Sequence, residues 1–282
     1  MRINGYPPLH LDDADYLVID FETTGLSPNA GDRVCEIGAV KLRGGAVIET
    51  FGTLINPQRP ISAGAYAVNG ISPAMIADAP TFMHIADKLR IMMNNTILVA
   101  YNAPFDVGFL TNELSLCGLS PLKNDRVDAL AIARQLLPGL GRYSQENVAR
   151  ILGIPFPVKH RALEDAMVTA QIFTMFISIL KAYDCTMISD LNRRDLIAML
   201  NEKRMKLVND ALLSRRNIWI KYLSPTNYEI TDRIISPKEF VYQHAGSNSS
   251  NYLIGYCHLA KGERNFRIDR MLDVRVINSS IV

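Results

Sequence analysis

Asp20 and Glu22 interrupt an otherwise apolar run in Tyr16-Leu17-Val18-Ile19-Asp20-Phe21-Glu22-Thr23-Thr24-Gly25-Leu26, putting two carboxylates where strand propensity favours none. Side chains two apart on a strand project from one face, so both acids point into one small volume. Like charges that close repel unless a cation lies between them. An oxygen-only ligand set suits hard cations such as Mg²⁺ or Mn²⁺, which keep waters and leave room for a phosphate. Metal-assisted phosphoryl chemistry is the resulting expectation. A lone Asp-x-Glu more often marks the solvated end of a strand, so further acids must converge on it.

Two more carboxylates and a histidine meet that requirement. Asp106 follows Asn102-Ala103-Pro104-Phe105, and in the first turn of a helix opened by Pro104 it can point back toward the end of the preceding strand. Asp165 falls early in a long apolar helix, after His160 in His160-Arg161-Ala162-Leu163-Glu164-Asp165-Ala166. Taken singly, each aspartate reads as a first-turn acid favourable to the helix dipole, and His160 as a loop histidine.

The elements that must position these residues are legible from periodicity. Apolar runs at 16–21, 34–42 and 46–54, the last two separated by Gly44-Gly45, predict a strand followed by a hairpin. A helix from Thr81 carries Phe82, Ile85, Ala86, Leu89, Met92 and Met93 at helical spacing, a buried strand covers 96–100, and the Pro104 helix ends at Gly118. Further helices are expected at about 129–137, 144–152 and 162–181. Strands first, then alternation with helices, imply a mixed α/β sheet flanked by helices. Residues 184–216 are helical in pattern, and from Asn217 the pattern becomes short alternating runs at 218–222, 230–235, 240–242, 252–257 and 266–268, a small antiparallel β domain. The expected division is 1–183, a helical linker at 184–210, and 211–282.

Composition is compatible with this division. The 282 residues exceed one typical domain, and 48% hydrophobic with 21% charged residues describes an ordinary globular chain. The four cysteines, at 35, 117, 185 and 257, form no Cys-x-x-Cys pair, so a reducing cytoplasm is the natural setting. The first residues lack the apolar core of a signal peptide, and the greasiest stretch, 172–180, is short and interrupted, so neither secretion nor a membrane partner is expected. Residues 1–183 carry 15 basic and 17 acidic side chains, and 184–282 carry 15 and 11, which joins an acidic half to a basic half suited to polyanions.

Asp-x-Glu-Thr-Thr-Gly-Leu at 20–26, Asn-Ala-Pro-Phe-Asp-x-x-Phe-Leu at 102–110 and His-x-x-x-x-Asp-Ala at 160–166, in that order and spacing, closely resemble the motifs of the DEDDh exonucleases, the family of the proofreading epsilon subunit of bacterial DNA polymerase III and of ribonuclease T. Asn56-Pro57, Asn69-Gly70-Ile71, Asp78-Ala79-Pro80-Thr81-Phe82 and Val127-Asp128 add secondary similarity. Asn69 departs from a frequent histidine, and Gln145 from a frequent leucine. The resemblance, over roughly 15–182, implies a ribonuclease H-like five-stranded sheet and 3′–5′ exonuclease activity. It further implies two Mg²⁺ or Mn²⁺ ions held by Asp20, Glu22, Asp106 and Asp165, with Asp20 bridging. His160 would accept the attacking water's proton, as an imidazole can near neutral pH. Sister enzymes place tyrosine where this chain has Arg161, which assigns the histidine subclass. By the same resemblance the Thr23, Thr24, Gly25 and Leu26 turn faces the terminal nucleotide, and Asn102 and Phe105 shape the pocket beside it. A helix cap and a core aromatic are the plain alternatives for those two.

Residues 211–273 resemble the WYL domain, a small β fold of bacterial regulators that binds nucleotides or nucleic acid. The resemblance rests on Ile218-Trp219-Ile220-Lys221-Tyr222, Thr231-Asp232-Arg233-Ile234-Ile235-Ser236-Pro237, Tyr252-Leu253-Ile254-Gly255-Tyr256-Cys257 and Gly262-Glu263-Arg264-Asn265-Phe266-Arg267-Ile268-Asp269-Arg270, with Asn251 where the family's name-giving tryptophan would be. Arginines beside a tyrosine on neighbouring strands can pair with phosphates while the ring stacks on a base. Tyr222, Arg233, Arg264, Arg267 and Arg270 are the candidates, and His258 a secondary one, against the alternative of a solvated sheet face. The expected activity is release of nucleoside monophosphates from single-stranded DNA or 3′ overhangs. RNA trimming and a nucleotide-sensing regulator are the alternatives, and the sequence carries no signal for an oligomeric state.

Overall fold

A computed structural model describes residues 9–156, 161–243 and 250–277. The first strand, β1 (Asp15–Thr23), pairs antiparallel with β2 (Val34–Arg43), which pairs antiparallel with β3 (Ala46–Leu54). Gly44 and Gly45 link β2 to β3 with φ of 57° and 82°, the left-handed pair that a two-residue hairpin turn requires and glycine adopts without strain. Three helices follow, α1 (Ala63–Asn69), α2 (Pro73–Ile76) and α3 (Phe82–Met93), and then β4 (Thr96–Ala100), buried along its whole length. Next come α4 (Ala103–Leu116) and β5 (Arg126–Asp128). The sheet order is β3-β2-β1-β4-β5, with β1–β4 and β4–β5 parallel, so the expected mixed five-stranded sheet is present.

Strand alternation decides which face of β1 meets which helix. Leu17, Ile19 and Phe21 belong to the same core as Leu89 and Met92 of α3 and Val107 and Leu110 of α4. The alternate residue Tyr16 meets Phe173 edge-on, ring centroids 4.9 Å apart, on α7 (Ala162–Lys181). Asp20 and Glu22, in phase with Tyr16, therefore share the α7 face. By length and composition α7 would pass for a membrane span, yet its Ile172, Phe173 and Phe176 are fully buried within this protein. The remaining helices are α5 (Ala129–Leu136), α6 (Gln145–Ile151), α8 (Ile188–Leu191) and α9 (Leu196–Leu213).

The second sheet is wholly antiparallel, ordered β10-β6-β7-β8-β9, from β6 (Asn217–Leu223), β7 (Ile230–Gln243), β8 (Ser250–Cys257), β9 (Gly262–Arg267) and β10 (Met271–Ile277). Two sequence expectations change here. The runs at 230–235 and 240–242 are one strand, β7, whose register slips between Pro237 and Glu239, where proline has no N–H to give the ladder. Strand β10 adds to the runs expected from alternation, since a 3₁₀ turn at Ile268–Arg270 folds the chain back at once after 266–268. Leu196, Leu200, Arg204, Val208 and Ala211 form one buried stripe of α9. The Arg267 N–H donates to the Tyr222 hydroxyl at 3.2 Å, joining β9 to a strand that is not its ladder neighbour and curling the sheet.

Compact packing divides the chain into two units. One holds the described residues up to Ala131 with Gly153–Thr174 and Met187–Asn192, and the other Ile132–Leu152, Met175–Thr186 and the described residues from Arg193 onward.

Candidate functional site

In the first unit, β1 and β4 pair only as far as Val18 and Val99, and β1 runs on alone on that side through Asp20, Phe21 and Glu22. Beyond the last ladder bond the Phe21 N–H still needs an acceptor, and Asp106 Oδ1 takes it at 3.0 Å. Asp106 can reach it because Pro104 starts α4 immediately after β4 and Asp106 lies in the first turn. One carboxylate oxygen from each of Asp20, Glu22 and Asp165 lies within 4.8 Å of the others. Asp165 is buried in the first turn of α7, its N–H donating to the Arg161 carbonyl at 2.9 Å. The structure thus gathers the four acids singled out by spacing, three in a tight cluster and the fourth fastened to the strand between Asp20 and Glu22. His160 lies outside the described residues.

Burial first, and crowding second, set the electrostatics of this cluster. Burial pushes the Asp20 carboxyl well above the usual carboxylate range, and Asp106, Asp165, Glu22 and Glu36 add like-charge repulsion. Burial raises Asp106 to about 8, opposed by its bond from the Phe21 N–H and assisted by Glu22 and Asp128. A metal-free set of this kind holds protons it would surrender to a divalent cation, and all its donors are oxygens, so the residues fit a hard ion.

The turn after β1 is organised by Asp32. Its carboxylate accepts from the Ser27 N–H at 3.1 Å and the Thr24 hydroxyl at 3.3 Å, and it fills the space a side chain at Gly25 would need, 2.3 Å from the place of a Cβ. Thr23 Oγ1 donates to the Gly25 carbonyl at 2.6 Å, so both threonine side chains are spent within the turn while Leu26 stands 85% exposed. Asn102 caps α4 in the left-handed region, φ 71°, without a side-chain cap bond, and Phe105 packs partly buried with its ring 4.9 Å from Phe109. Asn69, at the position of a frequent histidine, is buried, donating to the Thr23 carbonyl at 3.3 Å and accepting from the Ile71 N–H at 3.0 Å.

Sequence reasoning notes Asp128 only within Val127-Asp128, without a role, and does not single out Glu36. Asp128 Oδ1 accepts from the Asn102 N–H at 3.1 Å and the Leu130 N–H at 3.0 Å, tying the start of α4 to the end of β5. Glu36 accepts from Arg161. Both roles arise from register between distant segments, which local spacing does not carry.

In the second unit the sequence candidates are dispersed. Arg233 lies 5.8 Å over the Tyr222 ring and 5.9 Å over Phe266, its Nε donating to Thr231 Oγ1 at 2.9 Å. Arg267 grips Asp269 with two bonds of 3.0 and 2.7 Å. Arg270 is buried, donating to the Ser224 carbonyl at 3.3 Å, while Arg264 is exposed and bonds the Glu263 carbonyl. His258 Nε2 lies 2.9 Å from the Ser236 hydroxyl. Arg233 covers the Tyr222 ring, which is only 4% exposed and so is not open to stack on a base; Arg267 reaches Tyr222 only through its backbone N–H, and Arg264 and Arg270 bond elsewhere.

Residues 17–173 match the exonuclease family model RNase_T, and residues 203–276 match the WYL domain. The DNA polymerase III subunit epsilon of Treponema pallidum is 41% identical over 165 residues, covering 58% of this chain and 76% of that protein. A PolC-type DNA polymerase III of Caldanaerobacter subterraneus is 32% identical over 221 residues, but this chain spans only 15% of that relative's length. Among solved structures, E. coli Exonuclease I in complex with a dT13 oligonucleotide aligns over 86% of this chain and 55% of its own, with a TM-score of 0.56 and 18% identity, a likeness of fold.

Proposed function

From the premise that this chain belongs to the RNase_T exonuclease family through residues 17–173 and carries a WYL domain at 203–276, we propose that it is a metal-dependent 3′–5′ exonuclease releasing nucleoside monophosphates from single-stranded DNA or 3′ overhangs. The observation that carries the reading is the meeting of Asp20, Glu22 and Asp165 oxygens within 4.8 Å. With Asp106 these residues would hold two Mg²⁺ or Mn²⁺ ions, which when bound lower the pKa of an attacking water and offset charge on the scissile phosphate. His160 is proposed as the group that takes the water's proton. The exposed Leu26 is the part of the Thr23, Thr24, Gly25 and Leu26 turn most open to a terminal nucleotide, with Asn102 and Phe105 beside it.

The functional division we propose is 1–183 for cleavage, 184–210 as linker and 211–282 for binding nucleic acid or a nucleotide, in a cytoplasmic protein. Of the candidates Tyr222, Arg233, Arg264, Arg267 and Arg270, Arg233 is the best supported, since its guanidinium lies over the Tyr222 and Phe266 rings, whereas Tyr222 is buried and Arg267 spends its guanidinium on Asp269. The test is digestion of 5′-labelled single-stranded DNA and RNA by the full chain with Mn²⁺ or with a chelator. A ladder shortening from the 3′ end, mononucleotide product and loss with chelator are expected. Preference for RNA would move the reading to RNA trimming, and no cleavage of either would overturn it.

A further inference from the structure

A fifth carboxylate lies beside the four acids, and the fold handles it differently. Glu36 is the ladder partner of Glu22, is only 5% exposed, and contributes to the crowding on Asp20. Arg161 meets it with a fork: Nε donates to Oε1 at 2.9 Å and to Oε2 at 3.2 Å, and Nη2 donates to Oε1 at 2.5 Å. The Ala162 N–H donates to Oε2 at 3.3 Å. Ala162 opens α7, so Glu36 satisfies one of the donors that every helix start leaves over, and its charge complements the positive end of the helix. Two residues along β2, Gly38 faces Asp20 across the ladder, and a Cβ there would fall 2.1 Å from the Ala162 carbonyl oxygen. Farther out, a Cβ at Gly52 would touch the Leu163 side chain at 3.0 Å. The entry of α7 therefore sits in a socket on β2, with a glycine for its floor and Glu36 for its wall.

We propose that Arg161 and Glu36 are a positioning pair, which seats the entry of α7 on β2 and withholds Glu36 from the metal-binding set, so that Asp165 faces Asp20 and Glu22 at cation-binding separation. The inference rests on the metal-dependent reading of that cluster. Without the guanidinium, Glu36 is a buried acid next to Asp20 and gains by turning toward a bound cation or by letting the helix entry swing away. Either response alters the ligand set. Lysine keeps the charge but loses the planar fork, so the pair makes a graded prediction.

The experiment compares the full-length parent with Arg161→Ala, Arg161→Lys, Glu36→Gln and the Arg161→Ala/Glu36→Gln double variant. It reads Mn²⁺ binding by calorimetry, exchange of the Ala162 amide, and kcat and KM on a 3′-labelled oligonucleotide. Arg161→Ala is expected to weaken Mn²⁺ binding by about 10–100-fold, as loss of a group supporting metal ligands typically does. The Ala162 amide should exchange faster and kcat fall with KM little changed. Arg161→Lys should recover part of the loss, and the double variant should be no worse than Arg161→Ala alone. Parent-like Mn²⁺ binding in Arg161→Ala, or losses that multiply in the double variant, would overturn the pair. If Arg161→Ala fails to fold, the lysine and glutamine variants decide by the same readouts. A parent that binds Mn²⁺ but releases no nucleotide defeats the exonuclease reading alone, and the pair is then judged on Mn²⁺ binding and exchange.

Discussion

The two sheets treat charge in opposite ways. At the end of β1 the fold buries acids beside one another until Asp20 and Asp106 resist ionisation, whereas in the second sheet Arg267 and Arg275 are each matched to an aspartate two residues away in sequence. Matching charges locally leaves a surface near neutral that any solvated sheet could carry. Crowding them leaves a site whose stability depends on what arrives from outside. Arg233, held by a hydroxyl and two rings, is the residue of the second sheet closest in kind to the first.

The contrast can be broken most sharply at the acids. Asp106→Ala or Asp20→Asn is expected to abolish metal-dependent nucleotide release while the protein remains folded; a variant with measurable turnover would show that crowding serves something other than catalysis. Next in size, His160→Ala should slow release by roughly 10²–10⁴-fold, the usual contribution of a general base. Near-parental rates would remove His160 from that role.

A smaller effect should appear in stability. The folded, metal-free chain keeps protons on Asp20 and Asp106 that the unfolded chain releases above the ordinary carboxylate range, near pH 4. Raising the pH from there toward about 8, the value for Asp106, therefore costs stability. Asp20→Asn removes one of these charges, so with a chelator present it should melt above the parent at pH 8, by a margin that shrinks toward pH 4. Equal melting at pH 8 would mean that the crowding is relieved in some other way. Smallest of all, Arg233→Gln should weaken binding of an oligonucleotide to the full chain and lower the salt dependence by about one phosphate contact, a slope change of roughly 0.7 for a single strand. An unchanged slope would return Arg233 to the matched, inert group.

How far the sequence reveals this arrangement follows from the range of the interactions. Asp20 and Glu22 are legible because alternation along a strand is local, the helix start at Pro104 is legible from its proline, and the helix bearing Asp165 is legible from apolar periodicity. Glu36, by contrast, reads as an ordinary half-apolar strand residue until β2 is set beside β1 and the start of α7 is laid over both. The role of Asp128 is hidden for the same reason, since its partners lie at the starts of two helices. In the second sheet, Pro237 makes one strand look like two, and the abrupt turn at Ile268–Arg270 conceals β10. The dispersal of the arginines among separate partners is a property of the folded sheet, which no single strand displays.

The socket that receives α7 has a consequence for synthesis. Strands β1 and β2 are complete within the first 43 residues, but the helix bearing Asp165 begins only at Ala162. Contacts so distant in sequence form late, after the cost of closing a long loop has been met. A ribosome making this chain beside other RNAs thus holds an unfinished cluster for most of translation, and the last acid arrives only after the rest of its sheet has been made.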